Sequence, residues 1–167
     1  MIIRYLPNIG FTIENKEIKW EQKRDLTRRN LAREFKQDDG MIDNSQFFDG
    51  DTSYNISYRH DLYKDFKTIY DENDCLTQLE IYQGIDILIH GITLTFGADI
   101  NESINEFERH NYFAVVAKPG EFFFENLKMV IANSESMGGE GNGLAYFYAG
   151  VDVSHVIDEY NELRQGN

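Results

Sequence analysis

Tyr82-Gln83-Gly84-Ile85-Asp86 is read a second time as Tyr148-Ala149-Gly150-Val151-Asp152, with the same interval between each matching pair. Upstream of each copy runs a helix-like stretch, followed by apolar, aromatic-rich runs of strand length. The pattern predicts an α+β fold of two pseudo-repeated units, about residues 9–84 and 85–152, each a helix plus antiparallel strands. The helices are expected on one face of a shared or paired sheet. A C-terminal helix over about 153–164 then completes a single domain spanning 1–167, long enough to bury a core common to both units.

Around the first copy, strand-like runs read at 54–58, 65–70 and 76–82, with a polar turn over 71–74 between the last two. Beyond it, Ile85-Asp86-Ile87-Leu88-Ile89 and Ile92-Thr93-Leu94-Thr95-Phe96 flank His90-Gly91, a tight hairpin that opens the second unit. Asp99-Ile100-Asn101-Glu102 has capping-box spacing and predicts a helix over 100–110, with Ile100, Ile104 and Phe107 buried. Strands follow at 113–117, 121–125, 127–132 and 144–148, with Lys118-Pro119-Gly120 as a turn and 133–143 as a longer loop. The final helix, 154–163, presents Val156, Ile157, Tyr160 and Leu163 to the body.

The first unit opens with a hairpin, Phe11-Thr12-Ile13 and Ile18-Lys19-Trp20 around Glu14-Asn15-Lys16. A helix is expected over 21–35, burying Leu26, Leu31, Ala32 and Phe35 while Arg24, Arg28, Arg29 and Arg33 form a solvated face. Residues 37–53 read as a long loop, dense in turn formers yet carrying Met41, Ile42, Phe47 and Phe48. Loops of that length are often functional.

The charge is lopsided, with 29 acidic against 16 basic side chains and a formal net charge of −13. Such a surface repels phosphate backbones and anionic lipid, and attracts basic proteins over a Debye length of about 8 Å. Direct nucleic-acid and membrane binding are therefore disfavoured. With 12 Phe, 10 Tyr and two prolines, the composition is that of a sheet-rich globular chain rather than a disordered one. Cys75 is the only cysteine, so no internal disulfide forms. Its acidic neighbours Asp71, Glu72 and Asp74 argue against a catalytic thiolate. No apolar run reaches membrane-spanning or signal-peptide length, and a soluble cytoplasmic protein is the expectation.

Catalytic signatures are thin. Gly138-Gly139-Glu140-Gly141-Asn142-Gly143 precedes a strand rather than a helix, and Glu140 opposes a bound phosphate, so it reads as a hairpin loop. Asp49-Gly50-Asp51-Thr52-Ser53 is similar to the start of a calcium loop, but Tyr54 stands where the turn glycine belongs and His60 where the bidentate Glu should be. His60, His90, His110 and His155 form no ligand pair at helical spacing. His60-Asp61 lacks a nucleophile, since Ser57, Ser134 and Ser136 have no elbow context. These observations predict no catalytic residue, no metal and no cofactor.

Binding is better supported. Phe47 and Phe48, set among Asp43, Asp49 and Asp51, combine aromatic anchors with carboxylates that steer a basic partner. Glu135, Met137 and Glu140 offer a matching loop in the second unit. The competing reading is that either phenylalanine plugs the core beneath the loop.

Two segments carry a resemblance to a known class. Leu94-Thr95-Phe96-Gly97-Ala98-Asp99-Ile100-Asn101-Glu102-Ser103-Ile104 and Tyr70-Asp71-Glu72-Asn73-Asp74-Cys75-Leu76-Thr77-Gln78-Leu79-Glu80-Ile81-Tyr82 resemble small bacterial proteins encoded beside polymorphic toxins. In those, a strand ending in Phe-Gly leads into a short capped helix, and a Tyr-Asp-Glu turn joins two strands. Tandem helix-plus-sheet units also resemble, in outline, the β-lactamase inhibitor proteins. The resemblance covers residues 54–110 well and the remainder loosely, on structural motifs alone, and the first unit departs from it with Trp20-Glu21 at the Phe96-Gly97 position. It implies an immunity protein, not an enzyme, that occludes the active site of a cognate basic toxin, often a nuclease, by presenting acidic surface. A homodimer stays open. The rival readings are a ligand-binding or structural module, marked by an apolar pocket between the units, and a hydrolase, marked by clustered His and carboxylate groups in a cleft.

Overall fold

Strand alternation builds two sheets of unequal size in the computed structural model, which describes residues 1–47 and 49–153, Tyr54 by its backbone alone. Phe48 and the predicted helix over 154–163, with Val156, Ile157, Tyr160 and Leu163, lie outside the described residues. In the smaller sheet β1 (Ile2–Leu6) is central, antiparallel to β2 (Gly10–Ile13) and parallel to β8 (Asp86–Ile89). Its edges are β3 (Lys16–Lys19) and β9 (Ile92–Leu94). The larger sheet is antiparallel throughout. From one edge to the other it runs β10 (Val115–Lys118), β11 (Glu121–Phe124), β12 (Met129–Asn133), β13 (Leu144–Gly150), β7 (Leu76–Ile81), β6 (Phe66–Tyr70), β5 (Ile56–Leu62) and β4 (Lys36–Ile42).

The core is the space between these sheets. Ile3 and Tyr5 of β1 alternate inward with Phe11, Ile13, Ile87 and Ile89 from their neighbours. Opposite them stand Leu79, Ile81, Met129, Ile131 and Phe147. Tyr5 spans the layers: its ring meets Phe147 edge-on at 5.7 Å, and its hydroxyl donates to the Leu127 carbonyl at 2.7 Å. Trp20 closes one side, edge-on to Tyr5 and Phe11.

The fold is α+β and mostly antiparallel, but the expected layer of helices is corrected. Among the described residues there are two α-helices, α1 (Arg24–Leu31) beside β3 and α2 (Ile100–Arg109) beside β9. They flank the small sheet, and strands rather than helices cover most of the large sheet. The Tyr-x-Gly-x-Asp copies also occupy unlike positions. The first leaves the end of β7 and enters β8, whereas the second lies in and just beyond β13.

Each helix starts from a similar anchor. Glu21 N–H donates to the Leu76 carbonyl and Leu76 N–H to the Gln22 carbonyl; Gly97 and Leu144, then Leu144 and Ala98, repeat both bonds. Glu21 and Gly97 both have positive φ, 61° and 85°. Asp99 caps α2 by accepting from Asn101 N–H at 2.9 Å, and of the expected buried face Ile100 and Phe107 are buried while Ile104 is half-buried. α1 departs from expectation. It buries Arg24, Thr27 and Leu31, while Leu26 and Phe35 are exposed.

One further reading is corrected, and one strand is added to those read from the sequence. Residues 37–42, expected at the start of the long loop, join Lys36 to form β4, which pairs along the whole length of β5. Residues 2–6, unassigned from the sequence, supply the central strand of the small sheet.

Gly10 carries a sharp local constraint. Its φ is +145°, and a Cβ there would lie 2.0 Å from the Ile18 carbonyl oxygen on β3. Gly10→Ala should cost about 3 kcal/mol or more in urea unfolding, from backbone strain added to the clash with main chain.

Candidate functional site

β4 and β5 pair over seven residues each, from Lys36↔Leu62 to Ile42↔Ile56, but β5 meets β6 only at His60, Asp61 and Leu62. Residues 39–42 and 56–59 therefore run beyond the sheet as a two-stranded arm. Its tip is the loop 43–55. Gly40 keeps the arm thin, because a Cβ there would meet the Tyr58 ring 2.5 Å from its hydroxyl oxygen.

The arm's root is fixed by buried charge. Arg24 and Arg28 on α1 converge on Asp61, which is fully buried on β5. Arg24 Nη2 and Arg28 Nη2 each lie 2.7 Å from Asp61 Oδ1, and Arg28 Nε lies 2.8 Å from Oδ2. Tyr70 completes the shell by donating to Oδ2 at 3.1 Å. Arg24 also grips Asp39 of β4 bidentately, at 2.8 and 2.9 Å, and donates to the His60 carbonyl at 2.8 Å. Arg59, one step up the arm, pairs with Asp74 at 3.0 Å. The arginine face read as solvated is thus, for Arg24 and Arg28, the glue between helix and large sheet. The physical reason is the acidic stripe Asp39-Asp61-Asp74, which folding brings under the helix.

The tip carries apolar surface among carboxylates. Phe47 is 74% exposed, Met41 61%, Ile56 56% and Ile42 51%. Ile42 and Ile56 face each other across the ladder and share one face, with Met41 on the other. Asp43, Asp49 and Asp51 surround them, all exposed. Hydrogen bonds from Ser45 hold the Asp43 carboxyl below the ordinary carboxylate range, and bonds from Ser53 do the same for Asp51. The loop is organised by short turns. Asp51 caps the 3-10 turn Thr52–Tyr54, and Asn44 N–H donates to Asn55 Oδ1 at 2.8 Å.

Of the expected interface residues, Asp43, Phe47, Asp49 and Asp51 share this tip, and Phe48 lies outside the described residues. Glu135, Met137 and Glu140 are exposed, but on the loop between β12 and β13. The register His60–Ile69–Gln78–Gly150 puts the arm at the end of the large sheet where β13 finishes, while that loop sits where β13 begins. The two groups therefore occupy opposite ends of the strands.

Side chains considered for chemistry are placed elsewhere. His60 and Asp61 project from opposite faces of β5: Asp61 is locked under α1, while the His60 ring lies tilted beside Tyr58, centroids 5.1 Å apart. Burial lowers the His60 pKa, with Lys67 acting in the same direction. Ser134 and Ser136 hydroxyls donate to the Gly143 and Asn133 carbonyls. His90 stacks on Tyr112, and His155 lies outside the described residues. Among the described residues no group of three or more His, Cys, Asp or Glu is arranged to hold a metal ion, and no helix is long and apolar enough to cross a membrane.

Two concavities stand out. One, about 570 Å³, separates the arm from the turn at 71–73. The other, about 340 Å³, is an open depression on the large sheet lined by Gln78, Glu80, Tyr146 and Tyr148. In the latter Glu80 is paired with Lys67 at 2.8 Å.

Comparison with protein families, with curated proteins and with solved structures finds no match to this chain.

Two predictions concern the root. Asp61→Asn leaves Arg24 buried without its full counter-charge and should cost about 3–5 kcal/mol in urea unfolding. Hydrogen bonds from Arg24 hold the Asp39 carboxyl at about 2. Burial alone would raise that of Asp61, but bonds from Arg28 and Arg24 outweigh it and keep it low. Both groups are more acidic folded than the unfolded value of about 3.9. Their contribution is complete above that value and is lost as pH falls through the folded pKa. The urea midpoint should therefore drop between about pH 5 and 2, and Asp39→Asn should flatten part of the drop.

Proposed function

We propose that this chain is a non-catalytic, stoichiometric inhibitor: an immunity protein that binds a cognate basic bacterial toxin through the arm formed by β4 and β5. The observation that carries the reading is the projecting tip. Four large apolar side chains, Met41, Ile42, Phe47 and Ile56, stand in solvent at the end of a ribbon that no other strand covers among the described residues. Isolated apolar residues are ordinary on a surface, but Ile42 and Ile56 side by side on a protrusion that also carries Phe47 and Met41 and is rimmed by charge have the composition of an interface core with its polar rim. Asp43, Asp49 and Asp51 supply the steering field for a basic surface, added to the net charge of −13. The ion network at the root holds the protrusion in one orientation, which lowers the ordering cost of association.

The finer fold reading belongs to the same proposal. Two related helix-plus-sheet units are supported by the matched anchors Trp20-Glu21-Gln22 and Phe96-Gly97-Ala98, whose second residues share positive φ and equivalent bonds to β7 and β13. A ligand-binding module is the second reading, favoured by the depression beside Tyr146 and Tyr148. It is the weaker one, since Glu80 there is already neutralised by Lys67.

The test pairs this chain with candidate basic toxins encoded in the same genome. Co-expression should restore growth, and mixing should give a one-to-one complex that lacks toxin activity. Replacing Asp43, Asp49 and Asp51 by Asn should slow association about tenfold at low salt and flatten its salt dependence. Phe47→Ala should instead speed dissociation about tenfold or more, with the unfolding midpoint unchanged. Unaltered association and dissociation in a confirmed complex would remove the arm from the interface.

A further inference from the structure

The concavity beside the arm has an open strand as one wall. Tyr63 N–H donates to the Phe66 carbonyl at 2.9 Å, closing the β5–β6 hairpin. That bond sets the phase of the ladder: residues 63, 61, 59 and 57 turn their backbone groups toward β6, and residues 62, 60, 58 and 56 turn theirs toward β4. β6 ends at Tyr70 and is in register with β5 only as far as His60↔Ile69. Past that point the chain turns away, since Asp71 N–H donates to the Cys75 carbonyl and Asp71 Oδ1 accepts from Asn73 and Cys75. The N–H and C=O of Ser57, and the N–H of Arg59, therefore point into the 570 Å³ concavity with no backbone partner among the described residues. Ser57 is exposed.

The opposite wall is acidic. It is built from Asp71, Glu72 and Asn73. Glu72 is exposed and has no ion-pair partner among the described residues. The cation in the cleft, Arg59, is already committed to Asp74. An open backbone edge with a carboxylate wall asks for an occupant that is itself extended, so that it can complete the ladder, and cationic, so that it can meet Glu72.

We propose that this cleft takes an extended segment of the partner protein, with lysine or arginine at alternate positions, added as a further strand to the free edge of β5. The inference rests on the inhibitor reading for the identity of the partner. The edge itself stands on the register alone. Main-chain bonds to Ser57 and Arg59 supply the docking contacts, while Glu72 and the carboxylates of the tip select a basic sequence.

The probe is a terminally blocked hexapeptide of alternating valine and lysine, added to the full chain and followed by amide shifts and hydrogen exchange. Saturating peptide should slow exchange at Ser57 and Arg59 at least tenfold. The same peptide N-methylated at every second residue, in either phase, keeps its charge but cannot complete the ladder, and one phase should bind at least tenfold more weakly. Ser57→Pro deletes the outward N–H while leaving the β4 side of the ladder intact, and should weaken binding by a similar factor. Should that variant misfold, Glu72→Lys, a surface change, should weaken the peptide severalfold. Equal binding by both N-methylated peptides would overturn the proposal, as would protection confined to other strands. Concentration-dependent dimerisation that protects Ser57 without peptide would also overturn it, making a second copy the occupant. The two proposals fail separately. A toxin bound unchanged by Ser57→Pro removes the cleft but leaves inhibition standing; a chain that takes the peptide yet neutralises no toxin does the reverse.

Discussion

The contact between Arg24 and Asp61 is the constraint on which the rest of this architecture depends. Both groups are removed from water, which is expensive, and only full hydrogen bonding makes the arrangement tolerable. Arg28, Asp39, Tyr70 and the His60 carbonyl together satisfy it. The pair also fixes register. A slip of β5 by one residue would carry Asp61 to the opposite face and put His60 under the helix, leaving two guanidinium groups without carboxylates. Helix position, strand register and the direction of the arm are thus tied to one charge cluster.

Local features of the chain were readable because their causes are local. The Asp99 cap, the His90-Gly91 turn and the alternation along β8 each rest on neighbours within a few residues. What could not be read lies in long-range pairing. β1 takes its parallel partner from the second half of the chain, and nothing within Ile2-Ile3-Arg4-Tyr5-Leu6 announces that. β4 is poorer still: Gln37, Asp38, Asp39 and Gly40 are weak strand formers, made extended by the β5 ladder and by Arg24 pulling on Asp39. Arg24 itself defeats the amphipathic reading of its helix, because a buried arginine and a solvated one look alike until the carboxylates beneath are known. Of the candidate site, Phe47 was legible as an aromatic set among Asp43, Asp49 and Asp51, and the structure places it exposed, while the open edge of β5 could be found only once strand register was known.

Exposed strand edges are normally blunted by charge, bulges or shortness. The outer edge strands here follow that rule in different ways. β10 is four residues long and carries a register shift, and β4 carries the charged Lys36 and Asp38. The segment of β5 beyond His60 is likewise short, residues 56–59, and carries Arg59. It stands across the concavity from the turn at 71–73.

The pairing of β13 with β7 bears on how the chain is made. These two strands meet at the middle of the large sheet, yet β7 leaves the ribosome well before β13. Until the second half emerges, the β4–β7 meander has a finished hairpin at one side and an unpaired, apolar strand at the other. The small sheet waits too, because β1 needs β8. Contacts of such sequence separation make folding slow, and the nascent first half must survive as an incomplete intermediate whose sticky margin is later the centre of the molecule.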